Sequence, residues 1–140
     1  MKQKTVVLGI TASVAIYKAC DLIRRLREKN FEVRVILTDE AEKLVSPLLL
    51  QVLSGNRVAR GMFNEPEEWE VEHVSLAAKA DLLLIAPATA NIIGKLANGI
   101  CDDLLTCVSC ATRAPVLLCP AMNENMYTNK IVQGNIKKLK

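Results

Sequence analysis

The chain has a single histidine among 140 residues, and only one Trp, two Tyr and two Phe. With one imidazole, no Ser-His-Asp order and no metal cluster competes for the chemistry, and no metal is expected. Charge is sparse too: the net value is +3. No basic run carries interleaved aromatics, so a nucleic-acid partner is not expected. The basic end "NIKKLK" reads as a solvated helix end. No apolar run approaches the length that spans a bilayer, so we expect no membrane partner and a cytoplasmic location. The start, "MKQK" then "TVVLGITASVAIYKAC", imitates the charged and apolar parts of a signal peptide. Gly9, Thr11 and Ser13 interrupt that run, and "ACDLIRRLREK" continues it as an amphipathic helix.

Cysteine is better represented, with Cys20, Cys101, Cys107, Cys110 and Cys119. The number is odd and the surroundings are apolar or small, which argues against a disulfide framework. "CVSC" has CxxC spacing but lacks a second ligand pair. Cys107 and Cys110 are therefore expected to be small core-facing residues one helical turn apart.

Strand-like and helix-like segments alternate along the chain. "TVVLGI" reads as a buried strand. "SVAIYKACDLIRRLREKN" repeats apolar residues at helical period, and Asn30 can close it. "FEVRVILT" alternates as a strand does. "SPLLLQVLSGN" reads as a helix capped by Ser46 and stopped by Gly55. After an irregular middle, "RVARGMFNEPEEWEVEHV", come a short helix near "SLAAKA", a strand "DLLLIAP", a helix over 92–97, a helix in "DDLLTCVSCAT", a buried strand "APVLLCP" and a final helix. Apolar strands joined by helices imply a parallel sheet covered on both faces. We expect one doubly wound α/β domain, Rossmann-like or flavodoxin-like, over residues 1–140. Ligands in such folds bind beyond the carboxyl ends of the strands.

Every candidate segment falls at such an end. "GITASVA" joins strand one to helix one, and its helix N-terminus with Thr11 and Ser13 suits an anion such as phosphate. It has one glycine, Gly9, so it is neither GxGxxG nor a Walker loop. Thr38 follows strand two and serves either as a ligand contact or as the cap of "DEAEKL". In "APATAN", Pro87 is expected to end strand pairing. Ala88, Thr89 and Ala90 let the backbone approach a flat guest, and Asn91 offers a donor and an acceptor. "CPAMNENMY" brings Met122, Asn123, Asn125 and Met126, with methionines that pack on flat rings and asparagines that bind a carboxylate without charge. His73 lies near Glu68, Glu70 and Glu72, and an imidazole titrates near neutral pH.

Together, "GITASVAIYK", "HVSLAAKADLLLIAPATANIIGKLANGICDDLL" and "PAMNENMY" resemble the flavin-containing cysteine decarboxylase family. The likeness is greatest to its phosphopantothenoylcysteine decarboxylase branch in bacterial coenzyme A biosynthesis, the decarboxylase half of bifunctional decarboxylase–ligases. The last two segments match that family's Pro-Ala-Ser-Ala-Asn-Thr and Pro-x-Met-Asn-x-x-Met patterns. Thr89 keeps the hydroxyl of the commoner serine, while Ile92 replaces a frequent threonine and Tyr127 an occasional tryptophan.

The resemblance implies FMN, held by Gly9, Thr11, Ser13 and Thr38 at its phosphate or ring edge, with Pro87, Ala88, Thr89, Ala90 and Ala121 along the flavin. It makes His73 the catalytic acid/base and Asn123 the clamp on the substrate carboxylate, with Met122 and Asn91 beside the substrate. In the implied reaction the cysteinyl thiol end of phosphopantothenoylcysteine is oxidised to a thioaldehyde, CO2 leaves, and reduction of the enethiolate gives 4′-phosphopantetheine. The family assembles as homotrimers or dodecamers. Its flap cysteine and ligase half have no counterpart before Lys140, so a C-terminally truncated domain is expected. Alternatives are a peptidyl-cysteine decarboxylase, a flavin prenyltransferase, or a non-catalytic flavin-binding fragment or regulatory subunit.

Overall fold

Four runs rich in Val, Ile and Leu form the sheet: β1 (Thr5–Ile10), β2 (Glu32–Leu37), β3 (Leu82–Ala88) and β4 (Val116–Pro120). In the computed structural model, which describes residues 2–62 and 72–140, they are all parallel, in the order β2-β1-β3-β4. This order is flavodoxin-like, within the doubly wound class expected. The chain leaves β1 toward β2 on one side and later returns to β3 on the other. A crevice therefore opens beyond the carboxyl ends of β1 and β3. Residues 63–71, including Glu68 and Glu70 and much of the irregular middle, lie outside the described residues.

Alternation along the strands divides the core in two. Val6, Leu8 and Ile10 of β1 join Val33, Val35 and Leu37 of β2 and Leu84 and Ala86 of β3 on one face. There they pack against Ala19 and Ile23 of α1 (Ala19–Glu28), Ala41 of α2 (Asp39–Glu42) and Leu50 of α3 (Pro47–Ser54). Val7, Ile36, Leu83 and Ile85 point to the opposite face. They meet Ala77 of α4 (Glu72–Lys79), Ile92 and Ile93 of α5 (Ala90–Ala97), and Leu104, Leu105 and Val108 of α6 (Leu104–Ala111). Short α7 (Glu124–Thr128) leads into α8 (Lys130–Leu139), which packs on α5. A buried aliphatic side chain is worth about 1.5–3 kcal/mol, so these two layers dominate stability.

Several expectations are corrected. The first helix is interrupted: Val14–Lys18 is a 3₁₀ turn capped by Ser13, and α1 proper begins at Ala19. Asn30, at φ 65°, closes it as expected. Pro87 does not end pairing. β3 runs on to Ala88, which pairs with Pro120 after a register shift, and the Ala86–Pro87 peptide is cis. Proline is tolerated because the pairing is irregular there. β4, expected to be buried, is largely exposed, because among the described residues it pairs only with β3. Cys107 is half-buried and Cys110 is exposed. The helix turns Val108, not its cysteines, into the core.

At the amino ends of the strands, Asp81 ties β1 to β3. Its Oδ2 accepts the Thr5 N–H at 2.8 Å, and Lys4 Nζ lies 3.2 Å from Oδ1. The Thr5 N–H, then Lys4, hold its carboxyl below the ordinary carboxylate range. A depressed value stabilises the fold above the unfolded-state pKa and is lost as pH falls through the folded one. Asp81→Asn is therefore expected to lower the thermal midpoint at pH 7. That difference should vanish in strongly acidic buffer, which parallel melts of the two proteins will measure.

Candidate functional site

Three loops meet at the crevice beyond β1, β3 and β4. The first two are joined by Thr11, which is buried. Its hydroxyl donates to the Pro87 carbonyl at 2.5 Å and accepts the Thr89 N–H at 3.2 Å. The third is joined by the Ala121 N–H, which donates to the Ala88 carbonyl at 3.0 Å. A buried polar group is costly unless bonded, so these bonds fix the relative placement of "GITASVA", "APATAN" and "PAMN".

The result is a cleft of about 470 Å³ lined by Ser13, Thr89, Ala90, Ala121, Met122 and Asn123, with Ala12, Val14, Ala15 and Met126 completing its wall. The alanines reach no further than Cβ, which leaves flat ground. Thr89 caps α5, its hydroxyl accepting the Ile92 N–H at 3.2 Å, so the positive end of that helix faces the same space. Ser13 Oγ accepts from the Ala15 N–H. Asn123 Oδ1 accepts from the Asn125 N–H at 2.8 Å, so its Nδ2 is the donor open to a ligand. A smaller apolar hollow, about 350 Å³, lies next to it between α1 and Pro87, Pro120 and Ala121.

Other expected site residues are placed elsewhere. Gly9 lies within β1, and a Cβ there would stand 2.5 Å from Leu105 Cδ1, so its bareness accommodates the core rather than a ligand. Ala88 is fully buried behind the cleft. Asn91 is exposed on α5 and does not line it. Thr38 caps α2, accepting the Ala41 N–H at 3.3 Å. It lines a separate cleft of about 560 Å³ in which Asp39, Glu42, Asp102 and Asp103 surround Arg60, itself paired with Glu42. So acidic a wall suits hydroxyls or a ring edge better than a phosphate.

His73 sits in the first turn of α4, half-buried, and lines none of these three clefts. That helix runs antiparallel to the strands, so its first turn is at the crevice end of the sheet. Burial pushes the neighbouring Glu72 carboxyl above its ordinary value, opposed by the charge of Arg57. Sequence reasoning missed the roles of Val14, Ala15 and Ala12 as cleft wall. Their only signal was their place between Thr11 and the apolar helix.

The flavoprotein family model matches residues 1–140. The chain is 45% identical over 136 residues to the coenzyme A biosynthesis bifunctional protein CoaBC of Haemophilus influenzae, covering 97% of this chain and 34% of that protein. It is 44% identical over 139 residues to CoaBC of Bacillus subtilis, covering 99% and 34%. The chain thus spans about a third of the length of these curated relatives. Among solved structures it is similar to the FMN-dependent cysteine decarboxylase SpaF, with TM-score 0.93 and 31% identity over 98% of this chain and 79% of that one. It is also similar to a PPC decarboxylase mutant complexed with pantothenoylaminoethenethiol, with TM-score 0.81 and 28% identity over 99% and 78%. With the family model matching residues 1–140 and the fold shared over 98% of its length, the chain belongs to the flavoprotein family.

Proposed function

We propose that residues 1–140 form an FMN-binding domain that decarboxylates phosphopantothenoylcysteine in coenzyme A biosynthesis. The observation that carries this reading is the single cleft in which Ser13, Thr89, Ala90, Ala121, Met122 and Asn123 converge. Its alanine floor, its hydroxyl and helix-end donors and its methionine suit a flat ring with an anionic tail. FMN bound there would supply two-electron oxidation of the substrate's cysteinyl thiol end. Ser13, Thr89 and Ala90 would hold the cofactor, with Ala121 and Met122 against it and Pro87 and Ala88 supporting from behind. Thr11 acts as a positioning residue, because its hydroxyl is already bonded to Pro87 and Thr89. Thr38 would meet hydroxyls or a ring edge from its own cleft.

Asn123 Nδ2 would take the substrate carboxylate, orienting the bond to CO2 without adding a charge that would keep the carboxylate from leaving. His73 would move the proton. Because it lies off the cleft in its own chain, we assign it to the cleft of a neighbouring copy in a homotrimer or dodecamer. Val14 on the cleft wall and Tyr17 in the same 3₁₀ turn, 86% and 70% exposed, support contact with another copy there. Five free thiols accord with the reducing cytoplasm. Identities of 40–45% to the coenzyme A proteins favour this substrate over the cysteine peptide of the peptidyl-cysteine decarboxylase EpiD, 27% identical.

Purified protein should be yellow, with flavin bands, and should release CO2 from phosphopantothenoylcysteine. A colourless protein that takes up no added FMN overturns the reading. Asn123→Asp should lower kcat/KM about 100-fold or more, and His73→Asn should stop CO2 release, both with flavin retained. Mixing the two variants should restore part of the activity if His73 acts across a subunit contact. No recovery in mixed oligomers assigns it to its own chain.

Thr11→Val leaves the Pro87 carbonyl buried without its donor. It should cost about 1–3 kcal/mol in chemical denaturation and weaken FMN retention. Thr11→Ser should recover most of both.

A further inference from the structure

Outside the cleft, three sulfurs gather along α6, Cys101 just before it and Cys107 and Cys110 within it. Cys101 Sγ and Cys110 Sγ are 2.6 Å apart, and Cys107 Sγ lies 3.6 Å from the Cys101 carbonyl oxygen. A disulfide closes at about 2.05 Å, and non-bonded sulfurs rest well beyond the separation seen here. Cys101 and Cys110 are both exposed, so a small reagent can reach either. The turn that carries Cys101 is anchored just after it. Asp102 pairs with Lys95 at 3.0 Å, and Asp103 caps α6 in a reciprocal box with Thr106. The approach of the two sulfurs is thus built into the backbone path.

We propose that Cys101 and Cys110 are a dithiol modification site that closes to an intramolecular disulfide by exchange with a low-molecular-weight disulfide. One cysteine thiolate attacks the oxidant RSSR, forming a mixed disulfide and releasing one RS⁻, which is protonated to RSH. The second cysteine loses its proton and attacks the mixed disulfide, forming the internal S–S bond and displacing the second RSH. Two cysteine thiols are oxidised and one RSSR is reduced to two RSH. The contact with Cys101, then burial, pushes the Cys110 thiol up to about 11. Cys110 is therefore held as the thiol at neutral pH, and its proton leaves as the bond forms. The bridge would fasten the turn at Asp102 and Asp103, which wall the Thr38 cleft, to the far end of α6. Cytosolic disulfides of this kind are reversible and redox-sensing. The proposal stands independently of the flavin reading.

The test uses the folded chain with oxidised glutathione, alkylation of remaining thiols, intact mass and peptide mapping. The expected product has lost about 2 Da without a retained glutathione, keeps three of its five thiols, and yields a peptide linking Cys101 to Cys110. Cys101→Ser and Cys110→Ser should instead stop at a glutathione adduct, while Cys107→Ser should bridge as the parent does. The bridged protein should melt a few degrees higher, about 2–4 °C for a domain of this size, and a dithiol reductant should reverse the shift. A Cys107–Cys110 bridge, five thiols left free, or adducts that never resolve would overturn the proposal. So would a linked product that melts no higher than the reduced one.

Discussion

The candidate site depends on one buried hydroxyl. A parallel sheet sends its connecting loops off in divergent directions, and the crevice between β1 and β3 would be only a gap if those loops were independent. Thr11 prevents that by donating to Pro87 and accepting from Thr89. Proline has no N–H, so Pro87 enters this network through its carbonyl alone. The Ala121–Ala88 bond adds the third loop on the same footing. Because both attachments are to strand ends rather than to mobile side chains, the cleft floor inherits the rigidity of the sheet.

The two larger clefts divide the electrostatics. The one at Ser13 and Asn123 has a neutral wall and the positive end of α5. The one at Thr38 has four carboxylates against Arg60. The first therefore favours an anion more than the second does. Nothing beyond the sequence positions of Asp39, Glu42, Asp102 and Asp103 is needed for this, but only the folded sheet brings residues 39–42 beside 102–103.

Much of the fold was legible because the strands are apolar throughout and the helices keep their period. The convergence of "GITASVA", "APATAN" and "PAMN" was legible for the same reason, since each follows a strand. What misled were local rules overridden by context. Pro87 pairs beyond its expected stop because a register shift accommodates it. By type and place Thr11 suits a ligand hydroxyl, yet burial turns it inward, and its partner lies on a loop 76 residues away. The CVSC spacing could not reveal which face of α6 meets the core. Val108 takes that place, and the cysteines turn out toward Cys101. His73 was found by type, but its distance from the cleft depends on where α4 docks.

Gly9 couples the sheet to the wall of the Thr38 cleft. The space where its side chain would stand is filled by Leu105, whose neighbours Asp103 and Leu104 form the wall opposite Thr38. The position of α6 is therefore gauged from underneath by a strand residue that touches no solvent. A methyl group added at position 9 would act as a wedge, lifting Leu105 and shifting the rim of a cleft it never enters. The width of that opening is set in the sheet, one side chain behind the wall, because Leu105 itself lines the cleft.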